Sequence, residues 1–119
     1  MALAFGFSLV VQWNDPDPLP WMVIYGAALL VCFLEIAGRT RMVLPLLVAA
    51  GALIWAGTIA PRVLGTVGFG EMFGGFEMRD EGVEESREMY GLLLVACWSL
   101  AVATAAWRRR PPPPAPPAR

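Results

Sequence analysis

Three apolar runs, each as long as a lipid bilayer is thick, leave this chain few folds to choose from. They cover residues 19–37, 42–60 and 89–107. Each holds about 19 residues, enough at 1.5 Å per residue to cross a hydrocarbon core of roughly 30 Å. A backbone in lipid must satisfy its own hydrogen bonds, so all three are expected as helices. Pro45 falls in the first turn of its helix, where a missing N–H does little harm. The whole chain has 119 residues, 57% hydrophobic and 16% charged. That length makes one small domain, and a soluble domain of this size could not hide so much apolar surface.

A fourth apolar stretch, MALAFGFSLVVQW, opens the chain. About 12 helical residues reach roughly 18 Å, short of the full core. The stretch lacks the basic region and small-residue cleavage site of a signal peptide. It is expected as a short or truncated membrane helix, with bilayer thinning or an upstream start as the two explanations. The expected architecture is an all-α four-helix transmembrane bundle, a single domain over residues 1–110. Its helices are expected at about 1–13, 19–37, 42–60 and 84–107. Between the last two lies a Gly/Phe-rich segment, expected to hug the membrane surface, which then turns acidic. The ending PPPPAPPAR cannot join a helix, and residues 111–119 are expected as a disordered cytoplasmic tail.

Charge gives the expected orientation. Arg39, Arg41, Arg108, Arg109, Arg110 and Arg119 fall on one side of the membrane, with no acid outside the spans. The other side has Arg62, Arg79 and Arg87 against nine acids. The positive-inside rule places the arginine side, with both termini, in the cytoplasm. Trp13, Trp21 and Tyr90 are expected as aromatic anchors at the outer interface and Trp107 at the inner one. The abundance of Ala, Gly, Pro and Arg suggests a bacterial gene, and so a bacterial inner membrane.

Several chemistries are disfavoured. The net charge of −1 gives no basic field for nucleic acid. Histidine is absent, which removes the commonest metal ligand and general base. No cofactor is expected. Glu35 is the one acid inside a span; it is expected to snorkel and pair with Arg39 at i, i+4. Cys32 and Cys97 differ in expected depth by roughly 9 Å. A disulfide needs Cα atoms within about 7 Å, so both are expected as small buried hydrophobes. Ala52 and Ala56, and Ser99 and Ala103, have helix-packing spacing that leaves open whether their partner is internal or another subunit.

Two polar constellations remain. In QWNDPDPLPW, Asp17 before Pro18 suits a helix start, and Asn14 and Asp15 are turn formers. In EESREMYG, residues Glu84, Arg87, Glu88 and Gly91 share one helical face, with Glu84 and Arg87 spaced as a local ion pair. Gly91 would let another helix approach closely. Both constellations fall at the same outer mouth. Asp15 or Asp17 is expected to reach Arg87 there, forming a clasp with Glu88; oxygen ligands holding a hard cation are the alternative.

These residues resemble the transmembrane protein 220 family, small four-helix membrane proteins. Gln12, Asn14, Asp15, Pro16, Asp17, Trp21 and Tyr25 match the first hallmark of that family. Glu84 or Glu85, Arg87, Glu88, Gly91 and Leu92 match the second. The resemblance runs over roughly residues 10–107; the short first helix, the Gly/Phe-rich segment and the polyproline tail depart from it. It implies four helices with both termini cytoplasmic, and it implies no activity.

The leading functional expectation is therefore a non-enzymatic membrane protein, an accessory or scaffold subunit in a lipid bilayer, within a larger complex or a homo-oligomer. The alternative is an outer-side binder of a cation or small ligand through Asp15, Asp17, Arg87 and Glu88. No nucleophile–base pair can be named for an enzyme. The spans offer almost no polar lining for a transport path.

Overall fold

The computed structural model describes residues 1–14, 17–64 and 81–110, with the side chains of Asn14 and of residues 81–83 outside the description. The expected second member of the outer constellation, Asp15, the Gly/Phe-rich segment and the proline tail lie outside the described residues. The described residues form four helices. They are α1 (Ala2–Val11), α2 (Pro18–Ile36), α3 (Val43–Val63) and α4 (Glu81–Arg108), with a 3-10 turn at Gln12–Asn14 after α1. Helices α2, α3 and α4 are long and apolar enough to cross a membrane. At 1.5 Å per residue the 10-residue α1 reaches about 15 Å, half the core.

Two boundaries differ by three residues from those expected, and the others by one or two. Helix α3 runs through Pro61 to Val63, three residues past the predicted end. Pro61 removes only its own N–H, and the ladder resumes beyond it: the Leu64 amide donates to Ala60 at 2.9 Å. Helix α4 starts at Glu81, three residues early.

Many small residues face inward, and many large apolar ones face outward. Ala28, Ala52, Ala56, Ala96, Ser99 and Ala103 are all buried. Leu3 (91% exposed), Phe7, Leu19, Val23, Ile54 and Leu94 face outward. In lipid this ordering is expected. Hydrocarbon solvates leucine as well as a protein core does, so association relies on close backbone approach and van der Waals contact. The most extensive pairing is α3 with α4. The Ala52/Ala56 and Ser99/Ala103 pairs are buried within the chain, so their partner is internal.

Helix α1 is held by an aromatic ladder. Phe5 is 1% exposed and lies 6.4 Å from Tyr25, centroid to centroid. Tyr25 stacks on Trp21 at 6.1 Å, and Trp21 stacks on Trp55 of α3 at 4.4 Å. Each such pair contributes about 0.5–1.5 kcal/mol beyond the area it buries. Trp21 is therefore no interfacial anchor, contrary to the expectation: it is 4% exposed, buried by Trp55 and Tyr25. Trp13, Tyr90 and Trp107 do remain exposed.

The link between α2 and α3 closes with a Schellman motif. The Gly38 amide donates to Glu35 (3.0 Å) and the Arg39 amide to Leu34 (2.9 Å). Gly38 takes φ +65°, a left-handed conformation that a side chain would strain.

Candidate functional site

Asp17 occupies the N-cap of α2, with Pro18 following at the first helical position. The position is the expected one, but the carboxylate makes no capping hydrogen bond and is exposed. Its backbone lies at φ −121°, ψ 66°. Asn14 ends the 3-10 turn. On α4, Glu84 and Arg87 are exposed and Glu88 is half-buried. Gly91 performs the role its size suggests. A Cβ there would collide with the Tyr25 hydroxyl, so this glycine lets α2 lie directly on α4.

Two ion pairs join described residues, and both tie α4 to another helix. Arg62 Nη1 donates to Glu85 Oε1 at 2.8 Å, linking the end of α3 to α4. Nothing in the spacing of Arg62 and Glu85, 23 positions apart, pointed to this contact. Arg109 Nη2 donates to Glu35 Oε1 at 2.6 Å, linking α2 to the far end of α4. This corrects the expected Glu35–Arg39 pair. The i, i+4 rule assumes a continuing helix, whereas the turn at Gly38 carries Arg39 off the helix and into solvent. Glu85 on α4 and Arg109, the residue that follows it, are 24 positions apart, about 36 Å at helical rise. They therefore flank a hydrocarbon core of about 30 Å. That spacing allows one clamp at each interface and neither in the core.

The cysteines also divide. Cys32 is buried, and its Sγ accepts a hydrogen bond from Trp98 Nε1 at 3.1 Å. An indole N–H in mid-membrane has no water to bond, so this α4-to-α2 contact satisfies a costly donor. Cys97 is exposed, contrary to the expectation that both would be buried. It is the residue next to Trp98, and a helix turns about 100° per position, so the two point in different directions.

Among the described residues, three buried side-chain atoms have no hydrogen-bond partner: Glu35 Oε2, Thr40 Oγ1 and Ser99 Oγ. An orphan of this kind costs about 1–3 kcal/mol. Two of the three lie at the arginine-rich end. The sequence marked Thr40 with no signal beyond its place in GRTR.

Comparison with known proteins fits this architecture. The curated proteins give no match, and neither do the solved structures. A sequence model of the family described as "Transmembrane family 220, helix" matches residues 4–104, most of the chain. That span takes in all of α2 and α3, most of α1 and α4 and both polar constellations, and the chain is an integral membrane protein that belongs to transmembrane family 220.

Proposed function

We propose that this is a non-enzymatic membrane protein acting as an accessory or scaffold subunit beside other membrane proteins. The supporting observation is where its charges go. Arg62 with Glu85, and Glu35 with Arg109, fasten helix to helix at the two interfaces. Between these clamps the outward surface is apolar, with Leu19, Val23, Ile54 and Leu94 free to meet lipid or a neighbouring helix. The orientation proposed with this function has both termini in the cytoplasm, as the arginine distribution argues. A bacterial cytoplasmic membrane suits the composition. Crosslinking in native membranes, followed by native mass spectrometry of the extracted complex, tests the reading. It predicts a reproducible neighbour, whether another protein or a second copy. A chain that extracts as a stable monomer and crosslinks to nothing would sink it.

A second reading is favoured by the half-buried Glu88, one helical turn before Gly91, where α4 meets Tyr25. There Asn14, Asp15, Asp17, Glu84, Arg87 and Glu88 form a structural clasp or a site for a cation or small ligand. Thermal unfolding with and without millimolar calcium separates the two. A ligand site predicts a higher melting temperature that Asp17→Asn abolishes, and a clasp predicts no response to calcium.

A further inference from the structure

The opposite end of the bundle holds a cavity that the clamps leave open. It measures about 390 Å³ and is walled by Thr40, Arg41, Met42 and Val43 on one side and by Arg109 and Arg110 on the other. That volume falls within the range of about 300–1,000 Å³ typical of small-molecule sites. Three arginines therefore line it, from two parts of the chain 68 residues apart in sequence. The acid facing them is Glu35, which engages Arg109. Arg109 gives one N–H to Glu35 and its Nε–H to Ala105 O at 3.2 Å. With five N–H donors on the guanidinium, three remain.

The backbone adds to this. Val43 begins α3, and Met42 before it offers no side-chain cap. The first amides of a helix have no carbonyl one turn back, so Val43 and Leu44 present their N–H groups at its positive end. Pro45, third in the helix, has no N–H to add. An independent observation marks the same place. The Thr40 hydroxyl, one of the three orphaned buried atoms among the described residues, belongs to a residue that lines this cavity. Buried polar groups without partners call for an explanation, and an unmet ligand is one.

We propose that this cavity binds a phosphate group. Guanidinium forks and an uncapped helix start are the two protein devices best matched to phosphate oxygens. Depth selects the source. The cavity lies where α2 ends and α3 begins, at the level of the Glu35–Arg109 clamp, with the exposed Trp107 close by in sequence. That is the headgroup level, where basic pockets between spanning helices take anionic lipid headgroups. Val43, which lines the cavity, and Ile36, the last residue of α2, are both exposed and offer an acyl chain apolar surface. A phospholipid headgroup and free inorganic phosphate share this chemistry. The inference stands independently of the accessory role.

The test uses the full chain in nanodiscs and native mass spectrometry. In discs of equal phosphatidylglycerol and phosphatidylcholine, the wild type is expected to retain phosphatidylglycerol preferentially, at one per chain. Arg41→Gln with Arg110→Gln removes two cavity charges and spares the Glu35–Arg109 clamp. Each charge near an anionic headgroup accounts for about fivefold in affinity, so the pair is expected to lower retention about thirtyfold. Arg108→Gln removes one charge from outside the cavity lining and is expected to change retention less than twofold. Circular dichroism and melting in pure phosphatidylcholine discs confirm that each variant is folded. Inorganic phosphate at 10 mM, added to wild type in those discs, separates the sources. A rise in melting temperature assigns the cavity to free phosphate, and no rise combined with phosphatidylglycerol retention assigns it to lipid. Equal retention of both lipids together with no response to phosphate overturns the proposal. So does a loss with Arg108→Gln as large as that with the cavity pair, since that is diffuse attraction to a basic surface.

Discussion

At Gly91, one hydrogen in place of a methyl group decides whether α2 and α4 can touch. Gly91→Ala drives a carbon into the Tyr25 hydroxyl. The expected loss is about 1–3 kcal/mol, typical of an overpacked core. Adding Tyr25→Phe removes the oxygen and is expected to restore part of that loss. Unfolding of the two single variants and the double variant in mixed micelles checks it, and strictly additive losses would contradict the contact. The cysteines give a second prediction at this scale. A lipid-permeant maleimide is expected to label Cys97 in the folded protein and Cys32 only after unfolding, because Cys32 is buried against Trp98. Intact mass would then show one adduct before denaturation and two after it. Two adducts on the folded protein would refute the assignment.

Helix α1 raises a question about elements. About 15 Å of helix cannot cross the core unaided, so packing must hold it in place. Phe5 provides that anchor through Tyr25, Trp21 and Trp55. Phe5→Ala is expected to cost about 2 kcal/mol. The soluble-core value of about 3–5 is higher because it includes transfer from water, which lipid does not reward. Phe7→Ala, on the exposed side of the same helix, is expected to stay within about 0.5 kcal/mol. Equal losses from the two would mean that α1 is not docked through Phe5. The clamps on α4 work on a smaller scale. Both are partly exposed, so each contributes less than about 1 kcal/mol. Close packing of small residues holds α3 against α4, and the ion pairs fix where the helix ends lie.

Across the whole molecule, the distribution of charge predicts which way the bundle faces. In a cysteine-free background, an impermeant maleimide added outside intact cells is expected to label Glu84→Cys and leave Arg108→Cys untouched. The reverse pattern would invert the proposed topology. The two clamps, about 36 Å apart along α4, also fix how deeply the bundle sits, with the arginine cavity at one surface and the Asp17 and Glu88 mouth at the other.

Read alone, the sequence already determined the class of fold, the number and approximate limits of the helices, and the short first helix. Lipid leaves a spanning backbone one solution, and apolar length is visible without any partner. It also marked Gly91 as a point of close approach, since a missing side chain is itself a local fact. Tertiary structure alone decided the pairings. Glu35 meets Arg109 rather than Arg39, Arg62 meets Glu85, and Trp21 turns inward onto Trp55. Each of these contacts crosses between helices. An all-round apolar helix has no polar face to announce which side it buries, so sequence spacing cannot choose the partner. The arginine cavity follows the same rule. Its residues were legible as a charge bias, but only the turn at Gly38 and the packing of α4 brought Thr40, Arg41, Arg109 and Arg110 around one space.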